Sequence, residues 1–181
     1  MKKEERRKQI LDAAMTVFVE KGFKGSTTQE IAKAAKISEV TLFRYFSSKQ
    51  EIFLEGIEPI FIQTLEGTIH LSKDLNREET LTYILEERIQ LISKNYKIVR
   101  LILAEDSLLS EWGSDGLMNR ILKILKLLLK EMGILVDRED FTLRLIMGSM
   151  LSFLYMPEKK EEQMKQYVNQ VVALILNEIE V

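Results

Sequence analysis

The groups best suited by type and spacing to hold a polyanion lie between Thr27 and Lys49, in the run TTQEIAKAAKISEVTLFRYFSSK. Thr27, Thr28, Phe43, Tyr45 and Lys49 are candidates for positioning against phosphates and Glu39, Val40, Thr41 and Arg44 for base edges in the groove, with Ser38 among the DNA-binding candidates beside them. Arg44 can pair bidentately with guanine, and Val40 and Thr41 can touch a thymine methyl. The sequence implies double-stranded DNA as the partner.

Positioning such groups requires two short helices at a steep angle. Thr27 followed three residues later by Glu30 has the spacing of a reciprocal cap, so a helix starts at Thr27 or Thr28 and runs to Ala35 with Ile31 and Ala32 on one face. Lys36-Ile37-Ser38 forms the turn, Ile37 plugging it and Ser38 serving as the next N-cap. The second helix is expected over Glu39–Phe46, with Leu42, Phe43 and Phe46 inward. A third begins at Ser47 or Ser48, since Ser47/Gln50 and Ser48/Glu51 both fit the capping spacing. Two helices joined this way make a helix-turn-helix whose second member enters a major groove. On pattern alone the same residues also fit an ordinary helical hairpin, with Ala32 and Ala35 serving close packing and Arg44 and Lys49 as solvated charges.

The flanking residues extend the pattern. A basic start, Ile10-Leu11-Asp12-Ala13-Ala14, Phe18, Gly22-Phe23, Thr27-Thr28, Ile31-Ala32, Ala35, Ile37-Ser38, Thr41-Leu42-Phe43, Tyr45-Phe46 and Ser48-Lys49 fall in one register. This stretch resembles the N-terminal DNA-binding domain of the TetR family of bacterial transcriptional regulators. The resemblance implies an all-helical chain with a helix-turn-helix domain over 1–48 and a helical effector-binding and dimerisation domain over 49–181. It further implies a homodimeric repressor that binds a pseudo-palindromic operator and is released by a small molecule. Lys36, Val40 and Phe43 depart from the family pattern of glycine, glycine and tyrosine; Lys36 must then hold a left-handed backbone.

Composition bounds the alternatives. The chain has 181 residues, no cysteine, two prolines and one histidine, His70, so disulfides, thiolate metal sites and a histidine-based catalytic cluster are not expected. No cofactor, metal or enzymatic activity is implied: Glu86 and Glu87 are adjacent and diverge on a helix, and no glycine-rich phosphate loop occurs. With no signal-peptide pattern and no apolar run long enough to span a bilayer, a cytoplasmic protein without membrane partners is expected. Residues 1–49 carry eleven Lys or Arg against six Asp or Glu, a balance of +5, while the other 132 carry fifteen against twenty-two, a balance of −7. A basic module on an acidic body suits nucleic acid at one end and self-association or ligand sensing at the other. Within the module, the arm Met1–Lys8 is read as a phosphate attractor or a frayed end. The helix after Arg6 covers the helix-turn-helix with Ile10, Ala13, Ala14, Val17 and Phe18, and Gly22 is its expected αL cap.

Beyond Ser48 a helix carrying Ile52, Phe53, Ile57, Ile60, Phe61 and Leu65 is expected to kink at Pro59. Further helices are expected from Asn76, over Tyr96–Leu109, from Ser114 or Asp115 to Met132 with Gly133 as stop, from Asp137 to about Met156, and from Pro157 to about Glu180. The last two are apolar on more than one face, and a symmetric dimer would cover them, with Gly148, Ser152, Tyr167, Val168, Val171 and Ile175 at the interface. The family resemblance places an effector pocket among the central helices. Tyr83, Arg88, Tyr96, Arg100, Trp112, Phe141, Arg144 and Met147 are its candidates, suited to a lipophilic ligand that is anionic if an arginine faces inward. A DNA-bound protein that recruits or obstructs a protein partner, with no small ligand, is the second reading.

Overall fold

The computed structural model describes residues 3–63, 65–67, 75–105, 117–133, 139–157 and 160–177, and every regular element among them is helical. The chain divides into two compact units: Met1–Phe61 with Lys97–Trp112, and Ile62–Tyr96 with Gly113–Val181.

In the first unit, α1 (Lys3–Gly25) packs on α2 (Thr28–Ala34) and α4 (Lys49–Glu58), and α2 packs on α3 (Glu39–Phe43). The stripe expected on α1 is buried at Ile10, Ala14, Val17 and Phe18, and it meets Ile31, Ala32 and Ala35 from α2, Leu42 from α3, and Ile52, Phe53 and Ile57 from α4 in one core. Three aromatic rings close that core: Phe18 meets Phe53 edge-on at 5.1 Å, and Phe23 lies 5.4 Å from Phe53 and 5.7 Å from Phe18. Gly56 lets α4 approach α1, since a Cβ there would fall 2.6 Å from the Met15 sulfur. Thus α4, which the sequence reading assigned to the second domain, is part of the core beneath the helix-turn-helix.

Gly22 does not form an αL cap. Its φ of 75° and ψ of 167° belong to an extended conformation open to glycine alone, and the helical path breaks there before resuming to Gly25. Lys36 does hold a left-handed backbone, at φ 54°. Lys36→Gly is expected to raise the free energy of urea unfolding by about 0.5–1 kcal/mol, and the midpoint with it, because relief of the Cβ clash exceeds the added chain entropy of glycine. An unchanged or lowered midpoint would show that Lys36 carries no strain.

At Pro59 α4 gives way to a π-helical turn, Pro59–Gln63. Proline lacks the N–H that would bond the carbonyl four residues back, and the wider turn accommodates that missing link, which is the distortion expected at this residue.

The second unit is built on α5 (Arg77–Lys94), which opens with the anticipated reciprocal cap: Asn76 Oδ1 accepts from the Glu79 N–H at 2.9 Å and Glu79 accepts from the Asn76 N–H at 2.9 Å. Its buried stripe of Leu81, Ile84, Leu85, Arg88, Ile89 and Ile92 follows helical spacing. From Lys97 on, α6 (Tyr96–Ala104), whose Val99 and Ile102 are buried, belongs to the first unit, and the second unit continues with α7 (Leu117–Glu131), α8 (Glu139–Ser152) and α9 (Glu161–Asn177). α5 packs against α8 and α9, and α7 against α8.

Boundaries differ from expectation at both ends of the α8–α9 connection. The α8 helix stops at Ser152 rather than near Met156, since Phe153, Leu154 and Tyr155 donate to carbonyls three residues back and the Ser152 hydroxyl binds the Ser149 carbonyl. Pro157 does not open α9, which begins four residues later at Glu161. Gly133 does stop α7, at φ 68°. The expected starts at Ser114, Asp115 and Asp137 and the tails beyond Glu105 and Asn177 lie outside the described residues.

Candidate nucleic-acid interface

Each expected cap of the helix-turn-helix forms. Thr27 Oγ1 accepts from the Glu30 N–H at 3.2 Å, and the Glu30 carboxylate accepts from the Thr27 N–H at 3.0 Å. Ser38 Oγ accepts from the Thr41 N–H at 3.1 Å and shares a proton with Thr41 Oγ1 at 2.8 Å. For α4 the cap is Ser48, whose Oγ accepts from the Glu51 N–H at 3.1 Å, while the Glu51 carboxylate takes both the N–H and the hydroxyl of Ser47 at 2.6 Å.

Capping from both sides holds α3 rigidly with one face outward. Leu42 and Phe46 are buried, but Phe43, expected inward, is 49% exposed, and Val40 is 69% exposed. The helix is shorter than expected because Arg44 and Tyr45 donate to carbonyls three residues back, tightening the last turn after Phe43. Arg44 is exposed at the C-cap, and among the described residues none pairs with its guanidinium. Val40, Phe43 and Arg44 therefore share an outward surface with Thr41 and Glu39 at its edge. An apolar contact, an aromatic face and an unengaged fork of donors on one short helix suit the floor of a major groove.

The family profile described as bacterial regulatory proteins, tetR family, matches residues 10–55. This N-terminal module belongs to the TetR family. The uncharacterized HTH-type transcriptional regulator YvkB of Bacillus subtilis is 56% identical over 43 residues, 24% of this chain and 23% of that protein. The nucleoid occlusion factor SlmA of Actinobacillus pleuropneumoniae is 37% identical over 101 residues, 54% of this chain and 50% of that protein. The matches thus span between a quarter and a half of these relatives' length. Among solved structures, a TetR-like transcriptional regulator from Rhodococcus sp. RHA1 aligns over 98% of both chains at 23% identity with a TM-score of 0.75. FadR from Bacillus subtilis, in complex with stearoyl-CoA, aligns over 93% of this chain and 96% of its own at 23% identity with a TM-score of 0.62. At that identity these likenesses establish the all-helical fold of the whole chain.

Two basic residues of the TetR module face inward. Arg7, part of the arm read as a phosphate attractor, lies on helix α1 and forks onto both oxygens of Glu55. It also donates to the Tyr45 carbonyl at 2.6 Å and stacks 4.3 Å from the Phe46 ring. The Glu55 pair holds the guanidinium's pKa above its ordinary value. Lys49, expected on phosphate, gives two of its protons to the carbonyls of Phe23 and Ser26, each at 2.7 Å, and sits 4.3 Å over the Phe23 ring. Burial there lowers its pKa. Thr27 and Thr28 also spend their hydroxyl protons internally, on Glu30 and Glu39. Gln29 and Lys33, exposed beside Glu39 in the groove between α2 and α3, were missed by sequence reasoning. Their position on the outer face of α2, at i and i+4, was the available signal.

The carboxyls of Glu30 and Glu51 are held below the ordinary glutamate range, the first chiefly through its bond from Lys21 and then from Thr27, the second through the hydroxyl and N–H of Ser47. The unfolded chain therefore takes up these protons first as pH falls. Their stabilisation is complete above about 4.5 and is lost as pH drops through the folded-state values. Thermal unfolding is expected to be flatter between pH 5 and pH 3 for Glu30→Gln/Glu51→Gln than for the parent chain. Identical profiles would remove both carboxylates from the acid response.

The effector candidates are dispersed. Tyr83, Tyr96, Arg100, Phe141 and Arg144 are exposed, Met147 is half-buried, and Trp112 lies outside the described residues. Arg88 alone of the three arginines is buried, on α5, paired with Glu87. The dimer candidates divide in the same way. Val168, Val171 and Ile175 are buried within the single chain, where α9 is covered by α5 and α8, whereas Gly148 is exposed and Ser152 and Tyr167 are half-buried. Among the described residues of α8, its C-terminal turn and α9, Phe141, Tyr155, Met156 and Leu174 are large apolar groups left exposed.

Proposed function

We propose that this chain is a transcriptional repressor that reads a pseudo-palindromic operator as a homodimer, with α3 in the major groove and the basic module of residues 1–48 on the phosphates. The observation that carries the reading is the outward face of α3, where Val40, Phe43 and Arg44 stand exposed on a helix fixed by caps at both flanks. The segregation of charge, +5 over residues 1–49 in a chain of −2, supports it.

Pairing would use α8. Phe141, Leu145, Gly148 and Ser152 follow one another at spacings of four, three and four and are all at least partly exposed, which is the seam a second helix covers. Residues 49–181 would then carry dimerisation and release. The effector would be a lipophilic anion, since a chain of this fold, FadR, is seen with stearoyl-CoA, which joins an acyl tail to phosphates; Arg88, buried in the apolar stripe of α5, is paired with Glu87 and would meet such a ligand only by exchanging that partner. Such a ligand releases operator only by binding the DNA-incompetent state better.

Selection from a random duplex pool at a stated salt concentration, followed by footprinting of the winner, tests the reading. A two-fold symmetric footprint that an acyl-CoA panel dissolves is expected; no enrichment over random DNA overturns it. One observation favours a second reading, that of a DNA-bound protein acting on a protein partner. The match to SlmA, a nucleoid occlusion factor, runs well past the DNA-binding module. A symmetric footprint that no acyl-CoA disturbs would select that reading.

A further inference from the structure

Glu39 sets a problem for the reading just given, since it places a carboxylate on the edge of a surface that must approach phosphates. Its position in the first turn of α3 suits the helix dipole, which is a structural reason for an acid there. That role would leave the side chain free to swing into solvent. Instead, Thr28 Oγ1 donates to Glu39 Oε1 at 2.5 Å, reaching across from α2. The second oxygen takes no hydrogen bond among the described residues, and the carboxylate borders the groove that also holds Gln29 and Lys33. A hydroxyl has one proton, so Thr28 in this arrangement has none left for phosphate. Its oxygen can only accept.

We propose that Glu39 is a specificity-determining acceptor that selects a cytosine in each operator half-site, and that Thr28 is its positioning residue. The inference rests on the reading of α3 as the groove-entering helix. The physical argument is one of complementarity and rejection. In the major groove cytosine presents an amino donor with no acceptor beside it on that base, which a carboxylate oxygen accepts; adenine sets its amino donor beside the N7 lone pair, and guanine and thymine present acceptor oxygens, all of which repel a carboxylate. The like-charge cost of bringing Glu39 near the backbone is offset only where such a donor is met, so the same side chain penalises sites without one. Fixing one oxygen on Thr28 aims the other and limits the entropy lost on contact.

Selection from a random duplex pool, run in parallel on the parent chain, Glu39→Gln, Glu39→Ala, Thr28→Val and Thr28→Ser, tests this. The parent is expected to yield one half-site position restricted to cytosine. Glu39→Gln should admit adenine first and guanine or thymine besides, since an amide both donates and accepts, and Glu39→Ala should leave that position near random. The lost discrimination should be about 5- to 150-fold, with preference at other positions unchanged. Thr28→Val should weaken the preference at the same position, and Thr28→Ser, which keeps the hydroxyl, should restore it. A helix-capping role alone would lower affinity equally for all sequences and move no base preference. An unaltered preference in Glu39→Gln, or a Glu39-dependent position occupied by any base but cytosine in the parent, would overturn the inference while leaving the regulator reading intact. Failure of the parent to enrich any site would instead overturn the reading on which it rests.

Discussion

Phe53→Ala is expected to destabilise the N-terminal unit by about 3–5 kcal/mol, enough to remove a large part of the stability of a small domain. Phe53 is fully buried, and its ring is shared by Phe18 on α1 and Phe23 in the turn after Gly22. Truncation deletes two edge-on ring contacts and leaves a cavity that cannot easily close. Gly56 already holds α1 and α4 close, so further collapse would drive α4 into Met15. The loss should spread beyond the core. Phe23 carries Lys49 above its ring and on its carbonyl, and its own N–H is held by Glu105 at 3.2 Å. Urea unfolding followed at Tyr45, in parallel with binding to selected DNA, checks this, with Phe53→Leu as the milder comparison. A loss below about 1 kcal/mol would mean that the trio is not the keystone of the unit. Intact DNA affinity in a destabilised variant would mean that α3 does not depend on it.

What could be read from the sequence divides according to distance along the chain. The three caps at Thr27, Ser38 and Ser48 each involve groups three residues apart, and all three form as their spacing implies. Lys36 was legible for the same reason, since a tight turn between two capped helices dictates its backbone whatever residue stands there. Arg7 was not. Its neighbours Arg6 and Lys8 carry the same charge, and the partner that draws it inward, Glu55, is 48 residues away. The inward bonds of Lys49 were hidden likewise, because the carbonyls it binds are 23 and 26 residues back.

In the second unit periodicity showed that α8 and α9 have more apolar surface than one neighbour can cover. Which side a partner chain would cover was not in the pattern. Val168, Val171 and Ile175 are consumed by packing on α5 and α8, while Phe141 and Leu174 remain uncovered, and only tertiary packing separates the two sets. The effector candidates differ in exposure for a related reason: aromatic and arginine residues mark surface and pocket alike, and burial tells Arg88 from Arg100 and Arg144.

Arg44→Ala is expected to weaken binding to the selected operator by about 1–3 kcal/mol and to relax preference at one base position. The structure sharpens what this variant removes. Arg44 stands at the C-cap of α3, exposed, and its backbone N–H bonds the Thr41 carbonyl at 3.2 Å, an attachment that alanine keeps. No described group pairs with its guanidinium, so truncation orphans no partner and folding stability should change by less than about 0.5 kcal/mol. Any loss of affinity is then a loss at the interface. Lys49 and Arg7 offer the contrast, because their charges are spent on carbonyls and on Glu55 and their removal should act through stability instead. Titration of cognate and random duplexes at two salt concentrations distinguishes the possible outcomes for Arg44. A base contact lowers cognate affinity alone and leaves the salt slope nearly unchanged. A phosphate contact lowers both affinities equally and reduces the slope by about one, which would move the base-reading role to Glu39, Val40 and Thr41 at the other end of the helix.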